Sequence, residues 1–229
     1  IGDKLQNSIY TGAVPNRDIT WETTTTYNIG FDSQFLNGLF GLEFDWFYKK
    51  TKDILRPVAG LYPPSIGGFF PGTVNSGEVD NRGFDMSLTH RNKVGDLDYG
   101  ARLNANWARN RILKIDESPN IPEHLKMTGR RIGEKHGLIA IGLFQTDEEA
   151  MLYPTVAAGA QAGDIRYKDL NGDGKINYDQ DRTWIGKSNI PELMFGLDLF
   201  AGWRGFDFSA LLQGAAIADF ALMGWYDGV

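Results

Sequence analysis

Cysteine is absent from the 229 residues, so neither a disulfide framework nor a thiolate metal site is available to this segment. Long apolar runs are absent too. No stretch of about 18 apolar residues occurs, which excludes a helical membrane span. The net charge of -6 provides no basic surface for a phosphate backbone, so nucleic acid is excluded as a partner. Neither a G-x-S-x-G nor a P-loop is present, and no catalytic constellation emerges, so no enzymatic activity is expected. The start, Ile1-Gly2-Asp3-Lys4, has no apolar signal-peptide core. Either such a segment was removed or the chain is an internal piece. What is present is 42% hydrophobic and 23% charged residues, the balance of a folded chain rather than a disordered one. Aromatics make up 13% and glycines number 28, a mixture that suits strands joined by tight turns.

Period-two alternation is the strongest local signal. Phe40, Leu42, Phe44, Trp46 and Tyr48 share one face, while Gly41, Glu43, Asp45 and Lys49 share the other, with Phe47 as the exception. Tyr27, Ile29 and Phe31 repeat the pattern upstream, and Asn37-Gly38 between the two runs is a preferred tight-hairpin dipeptide. Two further pairs follow. Phe84, Met86 and Leu88 precede Leu97, Tyr99, Ala101, Leu103, Ala105 and Trp107, with a turn near residues 93–96. Leu193, Phe195, Leu197, Leu199 and Trp203 precede Phe206, Phe208 and Leu212, with Arg204-Gly205 as the turn. These runs have the length of about 9–11 residues that a tilted membrane strand needs. The mean hydropathy of -0.31 fits strands that alternate lipid-facing with lumen-facing residues. Trp21, Tyr48, Trp107 and Trp203 fall near strand ends, where an aromatic girdle belongs. Alternation alone fits a soluble antiparallel sandwich equally well.

Connection lengths separate the two. The turns are very short, whereas residues 51–76 and 112–192 form very long connections. Short turns on one side and long loops on the other are the asymmetry of bacterial outer-membrane barrels, and compact soluble domains seldom tolerate such connections. The expected fold class is therefore all-β, a portion of an antiparallel transmembrane β-barrel with long extracellular loops. With short turns on the periplasmic side, residues 112–192 either lie wholly outside as an extracellular lobe or cross the membrane an even number of times. Residues 138–144 are one crossing or a short strand of that lobe.

One local motif is specific. Asp169-Leu170-Asn171-Gly172-Asp173-Gly174-Lys175 matches the opening of a calcium loop, D-x-[DN]-x-[DN]-G. Side chains at positions 1, 3 and 5 bring oxygens to one point, Gly174 makes the turn and the Lys175 carbonyl points inward. Position 12 is Gln180 rather than Glu, flanked by Asp179 and Asp181. The expected ligands of a structural Ca²⁺ are Asp169, Asn171, Asp173, Lys175 and Asp181, with Asp179 as the alternative closing group. An Asp/Asn/Gly turn without metal is the plainer reading. His90, His124 and His136 share no metal-ligand spacing. Arg102, Arg109 and Arg111 could attract anions but fit a lumen face. The Pro- and Gly-rich stretch holding Tyr62, Phe69 and Phe70 would expose an apolar patch for a substrate or partner.

Residues 163–176, continuing through Asp181-Arg182-Thr183-Trp184-Ile185-Gly186 to Pro191 and Phe195-Gly196-Leu197, resemble the signature of SusC/RagA-type TonB-dependent transporters. Gly142-Leu143-Phe144-Gln145-Thr146-Asp147 and Ile19-Thr20-Trp21-Glu22 fit the same pattern, in the family's order. One departure is an apparent extra residue between Asn177 and Asp181. The resemblance implies a barrel of about 22 strands with a plugged lumen, located in the cell outer membrane among its lipids. It implies TonB and a SusD-like lipoprotein as partners, and an oligosaccharide or peptide as the imported substrate. Residues 1–229 are then an internal fragment of the barrel, with 112–192 as its extracellular lobe. The runner-up function is a secreted soluble β-sandwich, a carbohydrate-binding module stapled by calcium.

Overall fold

The computed structural model describes residues 15–58, 65, 72–156 and 158–220. Four long strands come first: β1 (Thr23–Phe35), β2 (Phe40–Pro57), β3 (Thr73–Val94) and β4 (Leu97–Lys114). A lobe follows, with short strands β5 (Lys135–Gly137), β6 (Ala140–Leu143), β7 (Ile165–Tyr167) and β8 (Thr183–Gly186). The lobe also carries the helical turns α1 (Asp147–Leu152) and α2 (Tyr178–Asp181). Two long strands close the series, β9 (Leu193–Trp203) and β10 (Phe206–Ala216). The long strands form one antiparallel six-stranded sheet in the order β1-β2-β3-β4-β9-β10.

Turn chemistry makes its hairpins. Arg204 and Gly205 both have positive φ, 47° and 86°, as a two-residue turn matching the strand twist requires. In the β3–β4 turn only Gly95 is in that region, at 60°, the first central position where glycine is favoured. All three short turns lie at the same end of the sheet, since Phe40 pairs with His90 and Leu97 with Trp203.

Register carries the alternation across every strand. Ser33, Leu42, Leu88, Leu103, Leu197 and Leu212 form one cross-strand row, and Phe31, Phe44, Met86, Ala105, Phe195 and Gly214 the next. Ile29, Trp46, Phe84, Trp107 and Leu193 form a third. Rings meet within and between the last two rows, with Phe31–Phe44, Phe44–Phe84 and Phe84–Trp107 centroids 5.8, 5.9 and 6.1 Å apart. This apolar wall is not a core. Ile29 is 69% exposed and Phe208 60%, while the buried hydrophobics among the described residues are Val58, Ile112, Phe144, Ala150 and Ile176, none on the wall. A sandwich would press the wall against a second sheet. Here it is bare, as a lipid-facing surface is.

The long connections are shorter than alternation suggests. β2 continues to Pro57 through a bulge between Thr51 and Leu55, where Asp53 takes φ 59°, and β3 begins at Thr73. Beyond Tyr48 the outward rows turn charged, with Lys50 opposite Asp80 and Arg111 next to it. Backbone pairing outlasts the apolar pattern there, so the sequence signal stops before the strand does. β4 pairs directly with β9. Residues 115–192 therefore add no strand to the sheet among the described residues, and residues 140–143 of the ambiguous segment form a short lobe strand paired with β7.

Candidate functional site

The lobe is held by capped turns and small ladders. Thr146 accepts the Glu149 N–H at 3.2 Å, and the Glu149 carboxylate accepts from Gln145 N–H at 2.8 Å and from Arg166, closing the start of α1. Asn177 caps α2 by accepting the Gln180 N–H at 2.8 Å. β5 and β8 bring His136 against Trp184, ring centroids 3.6 Å apart, with Arg130 above the indole. Burial, then the nearby Arg182 and Arg130, pushes the His136 imidazole below its ordinary pKa.

In the Asp/Asn loop, Asp169 accepts the Gly172 and Gly174 N–H groups at 2.7 and 2.9 Å. Asn171 accepts from Asp173 N–H at 3.0 Å, and Asp173 from Lys175 N–H at 2.8 Å. Gly172 and Gly174 stand at φ 74° and 77°, which lets the chain coil around these side chains. Helical turn α2 leaves Asp179 exposed and turns Asp181 inward, while the Gln180 side-chain oxygen accepts from the Asn171 amide at 3.2 Å and the Asn177 amide at 3.0 Å. Asp181 is fully buried, and its two oxygens accept Leu170 N–H at 2.9 Å and Asn177 N–H at 2.8 Å. The donors offered are oxygens, the chemistry a hard divalent cation takes. Among the described residues, however, no three Asp, Glu or His side chains converge as a metal cluster. Of the five expected ligands, then, Asp169, Asn171 and Asp173 share one coiled turn, while Asp181 is turned to the backbone that closes it. Tyr62, Phe69 and Phe70 lie outside the described residues.

The opposite wall of the sheet is polar. Glu43, Asp45, Asp85, Ser87, Asn104 and Asn106 line an open hollow on it. Asp45 stands directly across from Asp85, and Asn106 donates to the Asp85 carboxylate. Phe47, the exception to alternation, lies over the bare backbone of Gly83 on this wall, as Phe200 does over Gly100.

A third arrangement corrects the sequence expectation. Arg102 is on the polar wall, but Arg109 and Arg111 share the face of Leu103 and Trp107, beyond the apolar rows. Arg109 lies 5.3 Å above the Trp107 ring. Its guanidinium meets Glu192 at 2.8 Å, and Arg131 from the lobe meets the same carboxylate at 2.8 Å. Arg111 pairs with the buried Asp80 at 3.3 Å. Residues 129–130 hydrogen-bond to the Ile112 backbone, docking the lobe on the edge that β9 leaves free. The signal for this placement was parity: an arginine two or four residues past Trp107 stays on its face.

Residues 2–224 match the model of a family described as TonB dependent receptor-like, beta-barrel. The chain belongs to that family. Its barrels are outer-membrane proteins, which puts the bare apolar wall against lipid. A TonB-dependent receptor of Formosa agariphila, P26, is 29% identical over 91% of this chain and 22% of its own length. The TonB-dependent receptor SusC of Bacteroides thetaiotaomicron is 27% identical over 86% of this chain and 20% of its own length. The chain thus spans about a fifth of the curated relatives it matches. Its fold is shared with the RagAB peptide importer in the open-open state, with a TM-score of 0.64 at 23% identity, covering 90% of this chain and 22% of that one. In the closed-closed state the TM-score is 0.60, also at 23% identity, covering 92% and 23%.

Proposed function

We propose that this chain is part of the barrel of a TonB-driven importer that carries oligosaccharides or peptides across the outer membrane, working with a SusD-like lipoprotein. The observation that carries this reading is the two-walled sheet. One wall is apolar and bare over six strands, and the other offers carboxylates, amides and hydroxyls to a wet lumen. Such a wall exchanges hydrogen bonds with hydroxyl- and amide-rich solutes without covalent chemistry. A protein of the same fold is described as a peptide importer, which supports the peptide reading, and the resemblance of residues 163–186 to SusC-type transporters supports the oligosaccharide one. The short turns are assigned to the periplasm and the lobe to the cell surface. Deleting the full-length gene and following uptake of labelled oligosaccharides and peptides tests the reading. Loss of one class, restored by the gene, is expected, and unchanged uptake of both would overturn it.

For the lobe we propose one structural Ca²⁺ held by Asp169, Asn171, Asp173, the Lys175 carbonyl and Asp181. The D-x-N-x-D-G spacing supports it, and a carboxylate oxygen that accepts one N–H keeps a second lone pair. Calorimetric titration of chelator-treated protein with Ca²⁺ should give one saturable site that Asp173→Ala removes. Absence of heat, with the loop ordered in chelator, would discard the metal.

A further inference from the structure

We infer that the outward-facing arginine cluster at the junction of β3, β4 and the lobe binds the phosphate headgroup of an outer-leaflet lipid. This rests on the orientation proposed above, with the lobe on the cell-surface side.

Position comes first. The row Trp46–Phe84–Trp107 closes the apolar band, and the next row on the same face is Tyr48–Arg82–Arg109. A side chain in that row stands at headgroup height, continuous with the surface the acyl chains cover. Arg82, Arg109, Arg111, Arg130, Arg131 and Glu134 line one hollow there, between the strands and residues 128–134 of the lobe.

Charge comes second. Arg82 and Arg109 stand directly opposite each other on neighbouring strands, an arrangement that is unfavourable for like charges unless an anion sits between them. The protein's own carboxylates are turned to the other arginines and none among the described residues reaches Arg82, although Asp80 Oδ1 and Glu134 Oε2 keep no hydrogen-bond partner. Glu192 serves Arg109 and Arg131, Asp80 serves Arg111, and Glu134 lies 3.6 Å from Arg131. Arg82 is exposed and has no carboxylate partner among the described residues. A phosphate supplies what is missing, because its oxygens match the planar guanidinium fork bidentately. Anionic lipid next to a basic patch at a membrane surface is favoured by about fivefold per arginine. A solute bound in the lumen could not reach this cluster, since it lies on the other face of the sheet.

The test uses the natural full-length protein, purified in detergent and delipidated, with native mass spectrometry to count bound lipid. The probes are a bisphosphorylated outer-membrane glycolipid, the same lipid after phosphatase treatment, and inorganic phosphate as competitor. Retention of the phosphorylated lipid is expected, weakened about fivefold by Arg82→Ala and partly restored by Arg82→Lys. Arg102→Ala, on the polar wall, should leave retention unchanged. Equal binding of the phosphatase-treated lipid, or an unaltered Arg82→Ala, would overturn the inference. Displacement of the lipid by equimolar inorganic phosphate would also overturn it, marking a free-anion site. Lipid counting in detergent does not depend on orientation, so its failure is distinguishable from failure of the barrel topology, which thiol labelling of cells reads separately.

Discussion

Leu103 and Leu197 pair across β4 and β9 in the middle of the apolar wall, while Asn104 and Ser209 point to the other side. Arginine at Leu103 or Leu197 should therefore destabilise the barrel by about 2–4 kcal/mol, with Phe44 close behind and Trp46 and Phe208 less affected near the interfaces. Arginine at Asn104 or Ser209 should be tolerated. Unfolding in bilayers of the full-length protein measures both, and equal responses would contradict the lipid assignment. A second residue-level expectation comes from Gly83. A Cβ there would lie 2.2 Å from the Trp107 carbonyl oxygen and 2.7 Å from the Phe47 ring. Gly83→Ala should cost about 1–3 kcal/mol by overpacking, and a smaller side chain at Phe47 should relieve only the ring's share in a double-mutant cycle, because the Trp107 carbonyl stays where it is. Alternation exposed the lipid wall because each lipid-facing residue follows one rule. It missed why Phe47 breaks that rule, because a ring covering a glycine on the neighbouring strand is a cross-strand fact that no single strand displays.

At the scale of elements, the sheet was legible and the lobe was not. Strands β5 to β8 are three or four residues long, too short for a period to register, and their partners are far away in sequence. The lobe's helical turns did leave a trace, Thr146-x-x-Glu149 and Asn177-x-x-Gln180, each a cap paired with the residue three further on. In the second, Gln180 serves the helical turn, and Asp181 rather than Asp179 closes back on Leu170 and Asn177. Asp181→Ala strips two backbone N–H groups of a charged acceptor. It should loosen residues 169–181 by about 2–4 kcal/mol and leave the long strands protected, as hydrogen exchange would report. His136 gives the lobe a pH dependence. Its folded pKa lies below the ordinary value near 6.5, so the fold favours the neutral ring. The stabilisation is complete above about pH 6.5 and is lost as pH falls through that value towards the folded pKa. Protection factors in β5 and β8 should drop on acidification and stop responding in His136→Phe. Unchanged protection in the wild type would remove His136 as the cause.

At the scale of the whole molecule, orientation follows from which end of the sheet holds what. The turns after β1, β3 and β9 share one end, and the far ends of β2, β3 and β4, at Pro57, Thr73 and Lys114, share the other. Asymmetry of connection length was visible in the sequence because turn dipeptides and long non-alternating stretches are both local features. That β4 and β9 are neighbours was not, since nothing in 115–192 announces that it contributes no strand. The charged rows above Tyr48, with Lys50 and Glu78 paired at 2.9 Å, agree with an aqueous surface at the lobe end. Thiol labelling turns this into a test, helped by the lack of any cysteine in these 229 residues. Ala158 is exposed in the lobe and Lys93 is exposed beside the β3–β4 turn. On intact cells making the full-length protein, Ala158→Cys should react with an impermeant maleimide, and Lys93→Cys should react only after the outer membrane is permeabilised. The contrast should be about the ratio of accessible to sealed protein rather than a small bias, because a lipid bilayer stands between the two sites. Reaction at Lys93→Cys on intact cells, with Ala158→Cys silent, would invert the sheet in the membrane and move the arginine cluster to the inner leaflet.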